Sequence, residues 1–216
     1  MRVDGITVNN TTPSTVQVHN VLILDASGSM DGPKYQAACT GVQNELQLSK
    51  DLGFTFSLVE FVQSGLIITH CLKTNPEKVQ IRFNGATGGN TPLYQTIVET
   101  LERLMRDKKA DENFLIKILT DGQNNSGDKT ASDCYKVIKQ AEKKGFTVTF
   151  IAGEYDIQRI IREIGIDESN TQSHKNTGES ITATFETQRS ATISYSKRLE
   201  RGEDVTFGFY SKVLND

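Results

Sequence analysis

The sequence predicts an α/β domain: a doubly wound, mostly parallel central sheet with one antiparallel edge strand and helices on both faces. Three observations carry that expectation. Apolar runs at Val21 to Leu24 and Phe114 to Leu119 read as strands buried on both sides. Stretches with helical spacing, such as Leu93, Ile97, Leu101 and Leu104, alternate with them, which implies parallel strands joined by helices. Phe54 to Phe61 and Leu66 to Cys71 are separated only by Val62 to Gly65, too short for a parallel crossover, so one strand runs antiparallel at the sheet edge.

In chain order, a polar leader (1–15) precedes a domain over 16–202, whose core is 16–152, and a tail covers 203–216. The first strand, Val16 to Leu24, ends at Asp25. Pro33 suits the first turn of a helix carrying Tyr35, Ala38, Val42 and Leu46, with Gly53 as its stop. After the hairpin, Val79 to Phe83 is a further extended piece, and Gly85, Gly88 and Gly89 mark a loop before the helix that Pro92 opens. Phe114 to Leu119 is followed by the polar turn Asp121 to Lys129, a helix over Thr130 to Lys144 and a strand over Phe146 to Ile151. Helices over Asp156 to Ile164 and Gly178 to Arg201 follow. The tail Val205 to Val213, with Phe207, Phe209 and Tyr210, either packs on the domain or forms a docking strand.

Composition narrows the function. A formal charge of −3, from 24 Lys plus Arg against 27 Asp plus Glu, provides no broad field for nucleic acid or an anionic membrane, although Lys197, Arg198 and Arg201 form a candidate basic patch. Cys39, Cys71 and Cys134 fit neither a disulfide framework nor a zinc motif. Met1 to Pro13 has no apolar h-region, and no stretch approaches the roughly 20 apolar residues that span a bilayer, so a cytoplasmic protein is expected. His19 and His70 read as strand residues and His174 as an exposed one, none with ligand spacing.

The chemistry lies in three strings at strand ends: D-A-S-G-S (Asp25 to Ser29), G-G-N-T-P-L (Gly88 to Leu93) and L-T-D-G (Leu119 to Gly122). Alternation points Asp25, Ser27 and Ser29 to one side, and Gly28 permits the turn. Ligands of such sheets bind at carboxyl ends of strands, where Asp25 and Asp121 fall. Either Thr87 or Thr91 supplies the second loop's hydroxyl; Thr91 is preferred because Thr-Pro-Leu leads straight into the helix, where it also suits a cap. Asp31 reads as a solvated turn, while Asn124, Asn125 and Asp128 either reach toward a partner or are simply solvated.

This pattern resembles the von Willebrand factor A (vWA) domain, whose metal-ion-dependent adhesion site (MIDAS) is written D-x-S-x-S, then Thr, then Asp, matched here by Asp25, Ser27, Ser29, Thr91 and Asp121. The resemblance covers about Val16 to Ala152. It implies a binding module: hydroxyls hold a divalent cation, Mg²⁺ foremost with Mn²⁺ or Ca²⁺ as alternatives, and a protein partner's Asp or Glu completes the shell. It also suggests a stand-alone cytoplasmic protein of a bacterium or phage, with neither a nucleic-acid nor a membrane partner. Two other functions compete, a metal-assisted hydrolase or phosphoesterase and a scaffold whose metal only stabilises the fold. A haloacid-dehalogenase-like phosphatase needs a carboxylate where Ser27 stands, and no G-x-x-x-x-G-K-[S/T] string exists for phosphate.

Overall fold

The computed structural model describes residues 16–62, 66–83, 85–86, 90–122, 124–154 and 157–212. The leader, most of the hairpin turn, Thr87, Gly88, Gly89, Asp156 and the last four residues of the tail lie outside them. Gln17–Asp25 is strand β1, Pro33–Asp51 helix α1, Thr55–Val62 β2, Leu66–Thr74 β3 and Leu93–Arg106 α2. Glu112–Leu119 is β4, Ala131–Lys143 α3, Phe146–Gly153 β5, Ile157–Ile164 α4, Thr171–His174 β6 and Gly178–Glu200 α5.

Among the described residues the strands form one sheet in the order β3-β2-β1-β4-β5-β6, with β3 antiparallel at an edge and the other pairings parallel. Side chains alternate across it. Val21 and Ile23 of β1 and Ile116 and Ile118 of β4 pack beneath α2, α3 and α4, while Leu22 and Leu24 meet Tyr35 and Val42 of α1 and Phe185 of α5. Burial on both faces explains why these strands read as nearly continuous apolar runs. Thr130 caps α3 reciprocally with Asp133, so that helix starts one residue later than its periodicity alone would place it.

Helices α1 and α5 approach closely at Gly41. A β-carbon there would stand 2.2 Å from Cδ2 of Phe185. In an exposed helix Gly→Ala gains about 1 kcal/mol, but overpacking of this kind costs about 1–3 kcal/mol. Gly41→Ala is therefore expected to be net destabilising in urea unfolding, with part of the loss recovered by adding Phe185→Leu. A stabilised Gly41→Ala variant would mean that the two helices separate freely.

Val79 to Phe83, expected as an extended piece, joins no strand ladder among the described residues; Val79 is extended, and Val79, Ile81 and Phe83 lie partly buried against the α1 side of the core. Two expectations are corrected. His174 is 1% exposed and belongs to β6, a strand the sequence reading missed because Thr171–His174 is polar and short. Arg198 joins no basic patch: its guanidinium is buried and donates to the carbonyls of Asp204, Phe207 and Gly208. Those bonds hold the chain after α5 against the domain, where Val205 and Phe209 pack with Tyr195. Of the tail's two alternatives, packing on the domain is the one seen.

Candidate metal centre

The sheet register assembles the site. Leu24 of β1 lies opposite Leu119 of β4, so Asp25 at the end of β1 neighbours Thr120 and Asp121 just past β4. The chain leaves β1 toward β2 on one side and resumes at β4 on the other, and that reversal creates the crevice. A 3-10 turn over Gly28–Met30, anchored by buried Met30, curls the serine loop back over this edge.

Asp25 is 0% exposed. Its Oδ1 accepts the Ser27 backbone N–H at 2.8 Å and its Oδ2 accepts the Thr120 hydroxyl at 2.5 Å. Burial pushes its carboxyl up to about 6, although those hydrogen bonds hold it down. The oxygens of Ser27 and Ser29 lie 3.1 Å apart, and the Ser29 hydroxyl donates to Asp121 Oδ1 at 2.5 Å. The Lys34 ammonium, from the first turn of α1, donates to Asp121 Oδ2.

Gly122 shows where these groups point. A β-carbon there would lie 3.5 Å from Ser29 Oγ, 3.6 Å from Thr91 Oγ1 and 3.9 Å from Asp25 Oδ2. Oxygens from the first two loops thus converge on one spot beside the third loop that glycine keeps clear. Ser29 is solvent-exposed whereas Asp25, Ser27 and Thr91 are buried, so the cluster opens outward past Ser29. Two carboxylates and three hydroxyls around such a cradle fit a hard divalent cation that takes oxygen ligands. Among the described residues no group of three or more His, Cys, Asp or Glu gathers for a metal. The hydroxyls are therefore indispensable to any such site here.

Thr91 begins no capping interaction: helix α2 starts without a side-chain cap from its own first residues. Asn124 takes that task from the third loop, its Oδ1 accepting the Tyr94 N–H at 2.9 Å. Asn125 ties the two loops by accepting the Thr91 N–H at 2.5 Å and donating its own N–H to the Thr91 carbonyl at 3.1 Å. Asn125 thus positions Thr91 and Asn124 the start of α2, so neither is merely solvated. Asp31 binds its neighbour Gly32 N–H in an exposed turn, as expected.

Two supporting residues escaped sequence reasoning. Thr120, visible in L-T-D-G only as a strand-end residue, orients Asp25 and accepts the Gly122 N–H at 3.1 Å. His174 Nε2 lies 3.2 Å from the Thr120 carbonyl, and its Nδ1 accepts the Asn176 N–H at 3.1 Å, which makes Nε2 the donor. Burial lowers the pKa of this imidazole, opposed by its bond to the Thr120 carbonyl and by the Asp121 charge, and with Nδ1 accepting the Asn176 N–H the ring braces the site in its neutral form. Nothing in local sequence could have placed it there, because β6 reaches the site through long-range pairing.

No family model matches the sequence, and no curated protein matches it. Solved structures do. Proximal thread matrix protein 1 from the mussel byssus superposes with a TM-score of 0.60 at 18% identity, over 79% of this chain and 46% of that one. The pilus adhesin SpaC of Lactobacillus rhamnosus GG gives 0.61 at 17% identity, over 82% and 30%. The ArnB paralog VWA2 of Sulfolobus acidocaldarius gives 0.56 at 20% identity, over 81% and 45%. Another structure of the mussel protein, matching at 0.55 and 17% identity, is described as having a zinc-occupied MIDAS motif. The chain spans less than half the length of each of these proteins. Likeness at this level of identity speaks to architecture alone, and by it the chain has the vWA-like α/β fold.

Proposed function

We propose that this chain is a metal-dependent protein-binding module and not an enzyme, working in the cytoplasm of a bacterium or of a phage-infected cell. The observation that carries the proposal is the convergence of Ser29, Thr91 and Asp25 oxygens on the spot kept clear by Gly122. Asp25, Ser27, Ser29, Thr91 and Asp121 would hold a divalent ion, Mg²⁺ in preference to Mn²⁺ or Ca²⁺. When bound, it supplies an electrophilic position for an acidic side chain of the partner. Ser27, Ser29 and Thr91 are neutral ligands and Asp121 is already shared with Lys34, so an ion held largely by hydroxyls stays receptive to an incoming anion.

The residues named around the site serve chiefly to orient it, which supports the binding reading. Thr120 and the Ser27 N–H fix the Asp25 carboxylate, Asn125 fixes Thr91, and His174 has both ring nitrogens engaged. The zinc-bearing mussel protein and the pilus adhesin have the same fold, which supports recognition of other proteins as the use of such a site.

The test is capture of partners from lysate of the source cells on the immobilised chain. A protein retained with Mg²⁺, released by EDTA, and lost with Asp25→Ala or Ser27→Ala is the expected result. Retention that ignores both EDTA and these substitutions would exclude metal-mediated recognition. Turnover of phosphoesters with Mg²⁺ would favour the hydrolase instead.

A further inference from the structure

Lys34 stands where helix physics disfavours it. It occupies the first turn of α1, which holds no acidic residue and carries the positive end of the helix dipole. Its side chain is 19% exposed, yet its ammonium reaches the Asp121 carboxylate, itself 1% exposed. The other oxygen of that carboxylate takes the Ser29 hydroxyl. One carboxylate therefore serves both the converging hydroxyl cluster and a tethered cation. A divalent ion in the cradle and the Lys34 ammonium would repel each other strongly across such a short span of low dielectric.

We propose that Lys34 is a built-in counter-ion that competes with the divalent metal for Asp121 and is displaced toward the rim when the metal enters. The inference rests on the metal-binding reading above and concerns its regulation. The competitor weakens metal binding in isolation. Once displaced it becomes a positive charge at the rim, on the side from which an acidic partner arrives. Metal and acidic partner are then coupled: the metal frees the ammonium, and a carboxylate beside the metal gives it a new counter-charge. Coupling is reciprocal, so whatever Lys34 subtracts from metal affinity, the metal subtracts from the Lys34–Asp121 contact.

Titration calorimetry of the full chain with Mn²⁺ and with Mg²⁺ tests this. Lys34→Met and Lys34→Gln are expected to bind about tenfold tighter than wild type, within the roughly 5–150-fold range of ordinary coupling between ligands. Lys34→Arg, which keeps a charge, is expected to stay near wild type. A second measurement needs no variant. Acylation of Lys34 by an N-hydroxysuccinimide ester, followed by mass spectrometry of the wild-type chain, should be several-fold faster with saturating Mn²⁺ than in EDTA, and Asp25→Ala should abolish the difference. If wild type binds no metal, the metal reading fails and this proposal with it. If wild type binds metal but the neutral variants bind equally or more weakly, or labelling is unchanged by Mn²⁺, this proposal alone is overturned.

Discussion

Glu45→Ala is expected to lower the unfolding free energy by about 3–5 kcal/mol, since breaking one side of a buried ion pair strands the other charge. Lys117 Nζ lies 2.7 Å from Glu45 Oε2, and both side chains are 2% exposed. Lys117 also donates to Thr192 Oγ1 at 2.7 Å. Glu45 accepts from Gln188 at 2.9 Å and from Asn20 at 3.0 Å, so the network binds α1, β1, β4 and α5 into one unit. Burial lowers the pKa of Lys117, and the Glu45 charge and hydrogen bond oppose that shift. Urea unfolding of Glu45→Ala should show a lower midpoint with an unchanged slope. The double variant Glu45→Leu with Lys117→Met should recover most of the loss, because replacing a buried pair by apolar residues of similar volume is often neutral. A double variant no more stable than the single one would show that the pair is not the source of the effect.

How legible this protein was depended on the distance over which each feature is determined. Features set by neighbouring residues could be read: the apolar strands, Pro33 in the first turn of α1, the hairpin and the D-A-S-G-S turn all agree with the structure. The proximity of Asp25, Ser27, Ser29, Thr91 and Asp121 was also legible, since each follows an apolar strand or leads a helix and the sheet register then brings these side chains together. What was lost depends on partners far along the chain. Lys117 sits in an apolar strand because Glu45, 72 positions away, neutralises it. His174 is buried because β6 pairs with β5, a pairing that four polar residues do not announce. Asn124 and Asn125 could be read either as reaching toward a partner or as solvated, because their own partners Tyr94 and Thr91 lie 30 and 34 positions back. Lys34 was passed over for the same reason, since its partner Asp121 is 87 positions on.

The metal response of the fold should vanish with Asp25→Asn while the fold itself survives. Asparagine keeps the shape, and its Oδ1 still accepts the Ser27 N–H that now meets Asp25. Thr120, whose hydroxyl both donates and accepts, can turn to receive the new amide proton. Without metal the variant is therefore expected within about 1 kcal/mol of wild type, the scale of one exchanged hydrogen bond. A ligand that binds only the folded chain at a hundred times its dissociation constant adds about 2.7 kcal/mol. For a chain of this length that raises the melting temperature by roughly 5–10 °C. Wild type should show that rise between EDTA and saturating Mg²⁺ or Mn²⁺, and Asp25→Asn almost none of it, because an amide cannot supply the charge that attracts the ion. A wild-type shift that persists in Asp25→Asn would locate the ion away from these five oxygens, whereas a variant unfolded even in EDTA would mean that Asp25 serves the fold before it serves any ligand.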